Sequence, residues 1–123
     1  MPWPIEDIPD VDWLYRRIHR IHLRHGDIDA AAFSNTKGDN GMSTDWAKYS
    51  TAQEARDRAR DSGANAVAAL EAGRVRALPG QVVEHVPIED NRAHSSVTGE
   101  KTPRVRIELK RICSIVIPLE DPK

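Results

Sequence analysis

Apolar positions along this chain recur with two different spacings, and the changes between them outline its elements. The run STAQEARDRARDSG has Thr51 in an N-cap position with Glu54 three residues on, which is a capping box. Glu54 and Arg58 add an i,i+4 pair in the favourable order, and Ser62-Gly63 is a stop. The only apolar residues on one face are Ala52, Ala55 and Ala59. The pattern therefore predicts a helix over 51–62 that lies on the surface and buries little. A second start signal is Thr102 followed by Pro103, with Val105, Leu109 and Ile112 on one helical face. The β-branched tail Ile112, Ile115, Val116, Ile117 then changes period, so the expectation is a helix over 103–112 and a strand over 113–117.

Strand signals are shorter. Pro79-Gly80 is a turn pair before Val82 and Val83, which predicts a strand over 81–86. The segment 93–99 reads as another short strand ending at Gly99. Val67, Leu70 and Val75 suggest a partner strand or a mixed segment before them. DWLYRRIHRIHLRHG fits two periods: Leu14, Ile18 and Ile21 at helical spacing, and Tyr15, His19, Ile21 and Leu23 on a strand face. Periodicity leaves helix and strand open over 13–25. Residues 27–41 end in a loop of Asn35, Gly38, Asp39, Asn40 and Gly41. MSTDWAKYS after it has room for a turn or a brief strand. Prolines at 2, 4 and 9 forbid a regular element at the start. Residues 1–12 are expected to form an extended arm held by Trp3 and Ile5 or Ile8. With no repeat and no long linker, the fold class is α+β: one small domain over 13–123, a mostly antiparallel sheet with about two helices.

Composition narrows the function classes. A length of 123 residues suits one domain with a modest core. The formal net charge is -1, so no global field draws the molecule to nucleic acid or an anionic membrane, and such binding needs a local patch. No apolar run is long enough to span a membrane. The first residues lack a basic and apolar leader pattern, and the expectation is a cytoplasmic protein. Cys113 is the only cysteine, which excludes an intramolecular disulfide and a thiolate metal cage. It sits in the apolar run RICSIVIP and reads as a buried hydrophobe.

Two stretches carry candidate chemistry. In HVPIEDNRAHSSVTG, a strand delivers His85, a turn follows, and His94 begins the return. A hairpin there could bring the two imidazoles together. His85 and His94 as base and acid, with Arg92 on a phosphate, are what metal-free phosphodiester cleavage requires. A hydrated turn explains the same residues, with Asp90-Asn91 as turn formers. The other stretch is YRRIHRIHLRH, the one basic patch. Arg16 and Arg17 could hold phosphate and Tyr15 could stack on a base, with Asn91 as a further contact. The same arginines could simply solvate the outer face of an amphipathic element. The H-x-x-H-x-x-H spacing drifts around a helix and lacks a supporting carboxylate, so no metal is expected. No Walker loop and no G-x-S-x-G elbow occurs, and no cofactor is expected. Trp3, Trp13 and Trp46 crowd the first half, which suggests that the arm, the 13–23 element and the segment after the loop pack together.

The pieces DVDWLYRRI, AAAFS, GMSTDWAKYST, VVEHVPIEDNRAH and VTGEKT, in this order, resemble a group of small uncharacterised bacterial proteins. The resemblance covers most of residues 9–102. It implies a bacterial origin and a strand over 14–18, and it carries no activity. Two functions follow as expectations. One is a small binding module that recognises a protein partner or nucleic acid through the Arg16/Arg17 surface. The other is a metal-independent phosphodiesterase or ribonuclease-like toxin built on the paired histidines. Near-zero charge and three tryptophans also leave room for self-association.

Overall fold

A computed structural model describes residues 3–119; the ends of the expected arm and domain, residues 1, 2 and 120–123, lie outside the described residues. The order of elements is β1 (Trp13–His19), β2 (Leu23–Arg24), β3 (Asp27–Ile28), β4 (Gly41–Trp46), α1 (Ala52–Asp57), β5 (Asn65–Glu71), α2 (Ala72–Arg76), β6 (Val82–His85), β7 (His94–Thr98), α3 (Pro103–Ile112) and β8 (Ser114–Ile117). Six strands form one sheet in the order β6-β7-β4-β1-β5-β8, every neighbouring pair antiparallel. The α+β class with a mostly antiparallel sheet is therefore observed.

Leu14 and Ile18 are fully buried two turns of the pleat apart, and that alternation makes 13–19 a strand. The helical period fades after His19, where only a single 3-10 turn forms. β2 and β3 close a hairpin through His25 and Gly26, both with positive φ (53° and 80°), as a two-residue turn matching strand twist requires.

Register assigns the faces. Leu14 pairs with Trp46 and with Leu70, while Tyr15 pairs with Asp45 and with Ala69. The Leu14 face holds the core: Ile18, Leu70, Met42, Trp46, Val97 and Val83 meet Val105, Leu109 and Ile112 of α3, Val75 of α2, Phe33, and Ile8 of the arm. On the opposite face α1 lies against β1 and β5, with Ala55 buried. Among the described residues no helix covers the β4–β7–β6 half of that face, and Ser43, Ser96 and Glu84 stay accessible.

Several elements differ from the sequence expectation. The capping box of α1 forms as read, but the helix stops at Asp57 because its alanine face gains too little burial to carry more turns. Glu54 Oε1 turns back to the Thr51 N–H, and Arg58 leaves it for Asp45. Of the two alternatives for MSTDW the strand forms, as β4, and it lies inside the sheet between β7 and β1. The 65–76 segment splits into β5 and a short additional helix, α2. The apolar anchor of the arm is Ile8 rather than Ile5, which is exposed, and Trp3 lies against the Arg92 guanidinium. The three segments that carry the tryptophans do meet, with β1 paired to β4, Trp46 Nε1 donating to Asp12 at 2.9 Å and Lys48 to Glu6 at 2.7 Å, but only Trp46 is buried, and Trp3 and Trp13 are each 41% exposed. Cys113 is only partly buried, at the end of α3, where desolvation pushes its thiol up.

Candidate binding cavity on the open sheet face

The two histidines of the hairpin are separated by the pleat. His85 pairs with Ser95 and points into the core face, where its ring lies 5.0 Å from that of Trp46. His94 pairs with Asp45 and points to the open face. Both nitrogens of His85 are engaged: Nδ1 accepts the backbone N–H of Glu6 at 3.0 Å, so Nε2 is the protonated nitrogen and donates to the Arg92 carbonyl at 2.7 Å. A ring 3% exposed with no free nitrogen cannot exchange protons with a substrate. The base–acid pair of His85 and His94 is therefore corrected: alternation of side chains along a strand places one inside and one outside.

Arg92 is not at the open face either. Its guanidinium lies 4.0 Å from the Tyr49 ring centroid and 5.0 Å from that of Trp3. Glu6 faces the same group from the arm: Arg92 Nη2 to Glu6 Oε2 is 3.7 Å, Lys48 Nζ donates to Glu6 Oε1 at 2.7 Å, and the Tyr49 hydroxyl donates to Oε2. These partners hold the Glu6 carboxyl below the usual carboxylate range, Lys48 foremost, and raise Lys48. The cluster fastens the arm to the β6–β7 loop.

The expected Arg16/Arg17 surface splits in the same way. Arg16 shares the Leu14 face, and its guanidinium donates to the carbonyls of Ala32 (2.9 Å), Ser43 (3.0 Å) and Ser34 (3.4 Å). Burial, and then the charge of Arg17, bring it down to about 10. Arg16 is a brace between β1, β4 and the 32–34 segment, its guanidinium engaged with backbone carbonyls. Lys101 behaves similarly, donating to the carbonyls of Val97 and Gly99, with desolvation and Arg16 lowering it to about 8.

The open face carries a cavity of about 390 Å³ between α1 and the β6–β7 loop, bounded by Tyr15, Arg17, Ser43, Asp45, Arg58 and His94, with Ile88, Asp90 and Asn91 at the loop side. Asp45, buried at its floor, organises the walls. Its Oδ2 accepts from Arg58 Nη1 at 3.0 Å and pairs with Arg17 Nη1 at 3.6 Å, and its Oδ1 accepts the Asn91 amide at 2.8 Å. Arg17 Nη1 also donates to the Ala55 carbonyl and Arg58 Nη1 to Ser50 Oγ. Each guanidinium thus spends one terminal nitrogen on the protein and keeps the rest of its fork for other acceptors. His94 Nδ1 hydrogen-bonds the Val86 carbonyl at 2.8 Å and must be the donor there. That bond fixes the tautomer and leaves Nε2 as an acceptor.

Of the sequence candidates, Tyr15, Arg16, Arg17, His94 and Asn91 line this cavity; the Arg16 guanidinium is taken up by backbone carbonyls, and Asn91 is spent structurally, its Oδ1 accepting the Ala93 N–H. Asp45, Arg58 and Asp90 were not singled out. Arg58 reads as a helix partner of Glu54, Asp90 as a turn former, and Asp45 lies in the segment with room for a turn or a brief strand; only the register that sets Asp45 beside Tyr15 and His94 reveals its place. Among the described residues no group of three or more His, Cys, Asp or Glu side chains could hold a metal ion, and no helix is long and apolar enough to cross a membrane. Comparison with protein-family models, curated proteins and solved structures finds no match to this chain.

Proposed function

We propose that this chain is a binding module that takes single-stranded nucleic acid on the open face of its sheet. The observation that carries this reading is the pair of guanidinium groups, Arg17 and Arg58, gathered at Asp45 with unspent N–H donors facing a cavity that also holds Tyr15. Arginine forks suit phosphate, and an aromatic ring on an open sheet suits an unstacked base. A protein partner is the weaker reading, because the cavity wall is polar and contributes one exposed large apolar residue, Ile88. Cleavage through paired histidines has lost one member to the core.

The guanidinium groups of Arg17 and Arg58 share the cavity with two carboxylates, Asp45 and Asp90, so attraction is local and modest. Affinity for a fluorescein-labelled 12-mer of RNA or DNA is expected in the micromolar range at low salt, falling with a log–log salt slope of about -1 to -2. Fluorescence anisotropy measures both. Arg17→Ala is expected to weaken binding at least about fivefold. Salt-independent affinity, or an unchanged value for the variant, overturns the reading.

A further inference from the structure

The walls of the cavity differ in hydrogen-bonding sense. On the α1 side Arg17 and Arg58 offer donors and no acceptor. On the β7 side the free groups are acceptors: Nε2 of His94, whose other nitrogen is pinned to Val86, and the exposed carboxylate of Asp90. Asn91 beside them is buried, with one amide N–H on Asp45 and its oxygen accepting the Ala93 N–H. Tyr15 stands on β1 between the two sides, paired with Asp45. The volume of about 390 Å³ lies near the lower end of the range of about 300–1,000 Å³ for sites that enclose a small molecule. That is room for one nucleotide.

We propose that this cavity is a single-nucleotide pocket selective for an amino-bearing base. The phosphate is received by the Arg17 and Arg58 forks, the base lies on Tyr15, and its exocyclic amino group donates to Asp90 and His94. Adenine, cytosine and guanine carry such a donor, whereas uracil and thymine present carbonyl oxygens there, which an acceptor wall repels. Discrimination arises because a carbonyl set against Asp90 leaves both groups without a partner. This inference rests on the open face being the nucleic-acid surface, and it adds that one isolated nucleotide suffices.

The test is competition against the labelled 12-mer by AMP, CMP, UMP, adenosine and inorganic phosphate. AMP and CMP are expected to displace it at concentrations about tenfold below UMP, with adenosine and phosphate each weaker than AMP. Asp90→Asn, at an exposed position that leaves the Asp45 cluster intact, is expected to narrow the AMP–UMP difference to under threefold while the 12-mer still binds. Arg104→Ala on α3 serves as the control of unchanged affinity. Equal competition by UMP and AMP, or by phosphate alone, overturns the inference. So does a bound 12-mer that no mononucleotide displaces, although the open-face reading then stands. A 12-mer that does not bind at all removes that reading and this inference together.

Discussion

Arg58 Nη1 donates to Asp45 Oδ2 at 3.0 Å, joining the C-cap of α1 to the middle of the sheet. The side chain of Asp45 is 5% exposed, and Arg17, Arg58 and Asn91 all converge on it. Removing the carboxylate leaves two guanidinium groups facing each other without their counter-ion. Asp45→Ala is expected to cost about 3 kcal/mol in urea denaturation. A loss under about 1 kcal/mol would mean that water replaces the carboxylate and that the cluster does not organise the cavity.

The two histidines of one hairpin should respond oppositely to truncation. His85 fills a site between Trp46, the arm and the β6–β7 loop and makes two hydrogen bonds. His85→Ala is expected to lower stability by about 2–4 kcal/mol, and His94→Ala, at a half-buried position with one hydrogen bond, by under about 1 kcal/mol. Denaturant midpoints rank the two variants; the reverse order would contradict the face assignment.

Arm docking should fail in acid. The Glu6 carboxyl is held below its ordinary range by Lys48 and Tyr49, so its contribution is present above the ordinary carboxylate pKa and is lost as pH falls through the lowered one. The amide of Glu6, donated to His85, reports docking. Its NMR signal is expected to shift toward an unbonded position on acidification below the ordinary carboxylate pKa, and Glu6→Gln is expected to show the weakened arm already at neutral pH. An amide that stays protected in Glu6→Gln would show that Ile8 alone holds the arm.

Lys101 gives a second pH signature, of opposite sense to an ordinary ion-paired lysine. Desolvation, then Arg16, lowers it to about 8 from 10.5. Below 8 both the folded and unfolded chains carry the proton and the cost of burying it is complete. Between 8 and 10.5 the folded chain sheds the proton first, so stability rises with pH across that window. Because the ammonium is partly solvated, the gain falls well short of the ideal 1.4 kcal/mol or so per pH unit. Denaturation of wild type and Lys101→Met at pH 7.5 and 9.5 checks it: the rise should be larger in the wild type. Parallel pH dependence in both would remove Lys101 as the source.

Elements with a local mechanism were legible in the sequence. The Thr51–Glu54 capping box, the Thr102-Pro103 start and the switch of period after Ile112 all form as read, because each is decided by neighbours within a few residues. What the chain could not disclose is which side chains face one another. Arg16 and Arg17 look alike and adjacent, yet a strand puts them on opposite faces; had 13–19 been a helix they would have shared a surface. His85 and His94 are parted by one step of register. Asp45, 13 residues before Arg58 and 46 before Asn91, becomes the floor of the cavity only when three strands and a loop are brought together. Its isolated burial has no sequence signature.

Backbone amide shifts recorded while single-stranded oligonucleotide is added show where on the protein the strand lies. Binding on the open face is expected to give the largest changes at Tyr15, Arg17, Ser43 and Asp90 to His94, with α3 and the arm residues 5–8 unmoved. Changes centred on α3 or on the arm, with the cavity residues silent, would contradict it.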